Sequence, residues 1–166
     1  MKERKATQAA FLLGRVYMIL EEEGRWVKEA AAMDKKGSHV SPESKEACKW
    51  CLSGAIEKAK FDIWPYLNWD THGVAEDFLA EAVQDKYPSC YMYPDDYWNP
   101  EAGIVIKFND REDTSHEDLM EVIEAAIGEA KRKGGETYPG PVPVNLLPFK
   151  GDKSIPGGWD KSKGVV

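Results

Sequence analysis

Hydrophobic residues recur at helical spacing over the first stretch of the chain. Leu13, Val16 and Leu20 lie on one stripe within residues 4–23, and Gly24 follows them. A stripe at this spacing is typical of an amphipathic helix, and glycine commonly ends one. We therefore predict an opening helix over residues 4–23.

The same period marks a helix near the middle of the chain, over residues 71–84. Val74 and Phe78 share one face of this segment. Asp70 or Thr71 precedes the pattern, and both are residue types that cap helix N-termini. We predict a helix here that buries one face.

The clearest helical pattern begins at residue 114. Thr114 and Glu117 have the spacing of a capping box, and Gly134 and Gly135 follow the pattern as terminators. Between these signals the apolar residues follow the helical period: Leu119, Val122, Ile123, Ala126, Ile127 and Ala130. A long final helix is predicted.

A further helix is predicted to open at Ser41, because serine is a common N-cap and Pro42 would occupy the first helical position. Its inward face would consist mainly of small residues, which favour close contact with a neighbouring helix. The residues on this inward face would be Ala47, Trp50, Cys51, Gly54 and Ala55, of which only Trp50 is large.

Residues 99–108 combine two signals. Asn99, Pro100 and Glu101 are typical of a helix start, whereas the β-branched run at residues 104–106 prefers a strand. A lone strand needs a partner, and the other strand candidates in the sequence are weak. We therefore favour a short helix and keep a strand as the alternative.

These patterns predict a mainly α fold, a compact bundle of about four to five helices with an irregular aromatic loop. The helical domain would span residues 1–133. Residues 134–166 hold seven of the 14 glycines and five of the 10 prolines, so they show no regular period. We expect an extended tail that is partly docked, on the body or on a partner, or flexible.

Composition excludes several classes of protein. The chain has 166 residues and a net charge of −7, which disfavours direct binding to nucleic acid because phosphate contacts need a basic surface. No segment approaches the roughly 20 apolar residues of a membrane span. Glutamates at 21–23 follow the first apolar stretch and argue against a signal peptide. We expect a cytoplasmic protein that does not bind membranes.

Cys48 and Cys51 form a C-x-x-C pair. Predicted to lie two turns inside a helix, they lack the helix N-terminus that would activate a redox thiol. They would lie close enough on the helix to share a zinc ion, for which Cys90 and His72, or His39, are the remaining ligand candidates. Burial as small packing residues is the favoured interpretation, and no cofactor is predicted.

Asn109 and Asp110, with His116 six residues later, are the candidates for hydrolytic chemistry, as a base and its orienting partner. The alternative is a turn in which Asn109 ends a helix and Asp110 binds backbone amides. No nucleophile elbow or phosphate loop accompanies them. The turn is the favoured interpretation.

The aromatic loop over residues 85–98 is the best candidate for an interaction surface, because tyrosine and tryptophan are enriched at binding hot spots. The alternative is that its rings cover the helical core. The candidate residues are Tyr91, Tyr93, Asp95, Asp96, Tyr97 and Trp98.

Two short motifs resemble those of a family of small bacterial and phage proteins of unknown function. The motif residues are Trp50, Cys51, Gly54, Ala55, Phe108, Asn109, Asp110, Thr114 and Glu117. The resemblance covers roughly residues 8–130, and Phe108 stands where the family more often has tryptophan. It implies an opening helix, a Trp-Cys-x-x-Gly-Ala helix and a turn before a final helix, with a bacterial or phage origin. It implies no activity.

Taken together, these patterns favour a noncatalytic binding or accessory protein, encoded by a phage or mobile element, that acts on an unknown protein partner. The alternative is a small metal-binding protein or a hydrolase-like enzyme. That alternative would use Cys48 and Cys51, or the turn at Asn109 and Asp110.

Overall fold

The computed structural model describes residues 2–63, 70–90 and 99–134, with side chains from residue 5 onward. Its helices are α1 (Lys2–Leu20), α2 (Leu52–Ile63), α3 (Thr71–Lys86), α4 (Pro100–Asp110) and α5 (His116–Gly134). Two short strands, β1 (Ala32–Met33) and β2 (Lys49–Trp50), lie between α1 and α2. Single 3-10 turns occupy Glu23–Arg25 and Pro88–Cys90. The fold is mainly α, as predicted.

Helices α1 and α5 pack antiparallel, and hydrogen bonds join them at both ends. The Thr7 hydroxyl donates to the carbonyl of Gly134 at 3.1 Å, and His116 Nε2 lies 2.7 Å from the carbonyl of Leu20. Helix α3 packs on both of them, while α2 packs on α1, and α4 packs on α3 and α2. Their apolar faces form one core, which includes Leu12, Leu13, Val16, Leu79, Phe108, Leu119 and Ile123.

The short helix at residue 100 is confirmed. Asn99 is its N-cap, with a side chain that accepts a hydrogen bond from the Ala102 amide at 3.2 Å, and Pro100 follows at the first position. The β-branched Ile104 and Val105 are buried in the core. Core packing therefore outweighs their strand preference.

The prediction that a helix begins at Ser41 is wrong. Residues 41–47 form turns, in which the carbonyl of Ser41 accepts the amide of Ser44, and α2 begins only at Leu52. Trp50 lies in β2 instead, paired with Ala32, and its indole donates to the Pro42 carbonyl at 2.9 Å. Tertiary pairing of this strand overrides the local capping signal.

The opening helix ends three residues earlier than predicted. Helix α1 stops at Leu20, and Gly24 lies in the following 3-10 turn. The glutamates at 21–23 explain the early stop, because negative charges in a last turn oppose the helix dipole. His116 meanwhile binds the freed carbonyl of Leu20.

The capping box of α5 is shifted by one residue from the predicted pair. Ser115 Oγ accepts the Asp118 amide at 3.1 Å, and Asp118 Oδ2 accepts the Ser115 amide at 2.9 Å. Thr114 instead donates its hydroxyl to the Phe108 carbonyl at 2.8 Å, and Glu117 is exposed. Both pairs have the same spacing, so the pattern alone could not separate them.

Two predicted regions fall outside the described residues. The aromatic surface at residues 91–98 is one, and the tail beyond Gly134 is the other. Both stay predictions.

Candidate functional site

The centre of the candidate site is the side-chain amide of Asn109, which lies near the end of α4 and is 2 % exposed. Its Oδ1 accepts the indole N–H of Trp26 at 2.8 Å and the amide of Leu52 at 2.9 Å. Its Nδ2 donates to the Val27 carbonyl at 3.3 Å and to Asp110 Oδ1 at 2.7 Å. One buried side chain therefore ties the chain at 26–27 to the ends of both α2 and α4.

Asp110 extends this network to the next residues of the same segment. Its Oδ1 also accepts the backbone amide of Glu29 at 2.9 Å. Glu29 has a φ of 61°, the left-handed region that non-glycine residues seldom adopt. The carboxylate of Asp110 therefore helps to hold a conformation that costs about 1 kcal/mol or more.

Lys28 fastens the same segment to the turn between α4 and α5. Its ammonium donates to the carbonyls of Arg111, Glu112 and Thr114, and it lies 5.2 Å from the centre of the Trp26 ring. These three carbonyls follow the end of α4, where intrahelical donors are missing. The lysine supplies donors for them.

His116 does not serve as a partner for a catalytic Asp110. Its Nε2 faces the Leu20 carbonyl, and its ring lies 6.1 Å from that of Trp26. Asn109 does not end its helix in a left-handed conformation either, because α4 continues through Asp110. Asp110 does accept a backbone amide, that of Glu29, as the favoured interpretation stated, whereas Asn109 does not form the predicted helix end.

Cys51 lies at the N-terminus of α2 rather than two turns inside a helix, which corrects the predicted position. Its Sγ accepts the Gly54 amide at 3.2 Å, and its carbonyl accepts the Ala55 amide at 2.8 Å, as an N-cap does. Burial raises the pKa of the Cys51 thiol; the Gly54 amide opposes this, and Asp110 adds to it. Desolvation therefore outweighs the helix terminus, and the thiol favours its neutral form.

Strand β2 separates Cys48 from Cys51, so the two do not share a helical face. The other proposed ligands have their own neighbours: His72 lies 3.3 Å from Glu57, and Cys90 Sγ lies 3.6 Å from Arg111. Among the described residues, no group of three such side chains could hold a metal ion.

Gly54 makes the close contact that its size predicts, but its partner is not a helix. A Cβ built on Gly54 would lie 1.8 Å from the carbonyl oxygen of Ala31. The amide of Cys51 donates to this same oxygen at 3.2 Å. The glycine therefore lets the chain before β1 lie directly on the start of α2.

The motif residues thus gather around one junction. Trp50, Cys51, Gly54, Asn109 and Asp110 all hold the chain between α1 and α2 against the helical body. We call residues 21–51 the presented segment. Thr114 stabilises the neighbouring turn, while Glu117 is exposed and takes no part.

The sequence analysis missed Trp26 and Lys28. A signal was available for the tryptophan, because a buried indole N–H needs an acceptor and Trp26 stands in a short polar stretch with no period of its own. No signal predicts that Lys28 would bind carbonyls more than eighty residues away in sequence.

Within the predicted aromatic loop, the structure describes Tyr87. Tyr87 packs 5.0 Å from Phe108, measured between ring centres, and its hydroxyl donates to Asp118 at 2.7 Å. That hydrogen bond and burial raise the pKa of Tyr87 to about 12. Tyr87 therefore covers the core, as the alternative interpretation stated, while residues 91–98 lie outside the described part.

Comparison with known proteins identifies the class. The model of a family of unknown function (DUF6197) matches residues 4–129, and the chain belongs to that family. No curated protein and no solved structure matches the chain. None of the helices in the described part of the chain combines the length and hydrophobicity that crossing a bilayer requires.

Proposed function

We propose that this chain is a noncatalytic binding protein of bacterial or phage origin that acts in the cytoplasm through protein contacts. The presented segment forms the binding surface. The observation that carries the proposal is the buried amide of Asn109, whose hydrogen bonds to Trp26 and Val27 fix a largely irregular segment on a helical scaffold, while a third hydrogen bond joins it to Leu52 at the start of α2.

This arrangement supports binding for a physical reason. Loops on a rigid scaffold carry binding residues in many folds, and a surface fixed in advance loses less entropy when a partner binds. The polar side chains that were candidates for chemistry have structural roles. Asn109 and Asp110 accept hydrogen bonds from backbone amides. Burial raises the pKa of the Cys51 thiol, which favours its neutral form.

Site-specific cross-linking tests the proposal. A photoreactive amino acid replaces Lys36, exposed in the presented segment, and in a matched variant it replaces Lys131, exposed on α5. We expect one host protein to be cross-linked from position 36 and not from position 131. The captured protein is then purified, and its affinity for the chain is measured directly.

Charge reversal provides a second test of the proposed binding surface. With the purified partner, Lys36→Glu should weaken binding, whereas Lys131→Glu should leave it unchanged. Equal cross-linking from both positions, or a purified partner that does not bind, would contradict the proposal. Turnover of a substrate that is abolished by Cys51→Ser or Asp110→Asn in a folded protein would support the enzymatic alternative instead.

A further inference from the structure

The presented segment contains a small sheet. Trp26 forms a parallel bridge with Trp50 of β2, β2 pairs with β1, and Met33 of β1 forms an antiparallel bridge with His39. The order is therefore residue 26, β2, β1 and residue 39, so residues 38–41 form an outer edge.

The hydrogen-bond pattern of this edge leaves one residue facing outward. The Asp34 amide donates to the Ser38 carbonyl at 3.0 Å, and the Val40 amide donates to the Ala32 carbonyl at 3.1 Å. Met33 and His39 are therefore a non-hydrogen-bonded pair, and the N–H and C=O of His39 point away from β1. Within the described residues, neither group has a hydrogen-bond partner.

The hairpin turn at one end of this edge is basic, although the chain as a whole is acidic. Lys35 and Lys36 are exposed in the hairpin turn, and Lys49 is exposed on β2 opposite Met33. No salt bridge between described residues engages these lysines. The one acidic side chain of the turn, Asp34, instead accepts the amides of Lys36 and Ser38, both at 2.8 Å. In a chain of net charge −7, the ammonium groups of Lys35 and Lys36 thus lie beside one end of the edge, while the carboxylate of Glu43, hydrogen-bonded to Ser41, follows its other end.

We propose that the edge at residues 38–41 binds an extended, acidic segment of a partner protein as an added β-strand. The backbone of His39 supplies the hydrogen bonds, as in other cases of strand addition, and the lysines select for Asp and Glu. An extended peptide fits better than nucleic acid because its backbone presents N–H and C=O groups at the spacing of a β ladder. This inference rests on the proposed function and specifies its partner.

Selection of peptides from a random displayed library on the full chain provides the probe. We expect enriched peptides that are acidic and rich in β-branched residues. One of them is synthesised with a fluorescent label, and its affinity is measured by anisotropy.

Two substitutions at His39 then separate the contribution of its backbone to binding from that of its side chain. His39→Pro removes the outward N–H, which makes no hydrogen bond inside the hairpin, and should weaken binding at least roughly tenfold. His39→Ala keeps the N–H and should bind like the native chain. Lys36→Glu should weaken binding roughly fivefold, and Lys131→Glu should not.

A third arm uses the native chain and so does not depend on folding of a variant. Peptides are methylated at successive backbone amides. Strand addition predicts that affinity is lost when alternate amides are methylated and retained at the positions between them, because only every second amide faces the edge.

Several results would overturn the inference: no enriched peptide, equal binding to folded His39→Pro, insensitivity to methylation, or equal displacement by single-stranded DNA. Failure of this inference can be distinguished from failure of the proposed function. If no peptide binds but the cross-linked partner still depends on Lys36, the presented segment binds its partner without strand addition. If position 36 captures no partner, the proposed function itself fails.

Discussion

Asn109 is the residue whose substitution should reveal most about the junction. In Asn109→Ala, the N–H groups of Trp26 and Leu52 lose their buried acceptor, and the Val27 carbonyl loses a donor. We expect the free energy of unfolding to fall by about 3 kcal/mol, since unsatisfied buried polar groups are costly. Urea denaturation followed by tryptophan fluorescence measures the loss. A change below about 1 kcal/mol would mean that the network is weak.

Gly54 is predicted to tolerate no side chain. In Gly54→Ala, the new Cβ would meet the Ala31 carbonyl oxygen at 1.8 Å, so the backbone of the presented segment must move. We expect a loss of about 3 kcal/mol, in the range of overpacked sites. Gly128→Ala on α5 is the matched control: nothing lies within 4 Å, so helix propensity should stabilise it by up to about 1 kcal/mol. Thermal denaturation of both variants checks the contrast.

Single residues also show where the sequence was informative. The small side chain of Gly54 correctly predicted a close contact, but the identity of the contacting backbone depends on tertiary structure. The C-x-x-C spacing was misleading, because it implies a shared surface only if the segment is helical. Cys51 instead lies directly before α2, and Cys48 lies directly before β2.

At the scale of elements, the N-terminus of α5 offers a test of the corrected capping box. Ser115→Ala removes the side chain that accepts the Asp118 amide, and should cost about 1 kcal/mol. Glu117→Ala should have little effect because this side chain is exposed and does not cap. Equal losses in the two variants, measured by chemical denaturation, would argue for the originally predicted pair.

The same cap predicts a dependence on pH. Hydrogen bonds from Ser115 and Tyr87 lower the pKa of Asp118 from its ordinary 3.8 to about 2. Because the folded pKa lies below the unfolded one, this carboxylate stabilises the fold fully above about pH 4, and the contribution disappears as the pH falls toward 2. The stability difference between the native chain and Asp118→Asn should therefore shrink across that range. Denaturation at several pH values measures it, and a constant difference would contradict the assignment.

Long amphipathic elements could be predicted, and short paired ones could not. Helices α3 and α5 carry several turns of a consistent apolar stripe, so their existence follows from local pattern. Strands β1 and β2 have two residues each, too few to show an alternating period. Their formation depends on Ala32 pairing with Trp50 and on Trp26, which bridges to Trp50 and is held by Asn109, and neither contact is visible in the local sequence.

For the whole molecule, burial of helices against each other could be inferred from the sequence, whereas the site could not. The motif residues were identified from the family resemblance, but their common location at one junction appears only in three dimensions. Asn109 lies 83 residues from Trp26 and 57 from Leu52 in sequence. Contacts at such separations are set by the packing of α4 beside α2, which no short motif encodes.

The molecule should behave as two units of unequal stability, the helical body and the presented segment. The body has the apolar core, whereas the segment has a few buried residues and depends on the hydrogen bonds of Asn109, Asp110 and Lys28. In Asn109→Ala, we therefore expect amide exchange in residues 26–51 to accelerate together, while amides of α1 and α5 retain their protection. Hydrogen exchange measured by mass spectrometry tests this. Uniform acceleration in both units would mean that the segment is part of the cooperative core, and a binding surface that can be weakened without unfolding the body would then not exist.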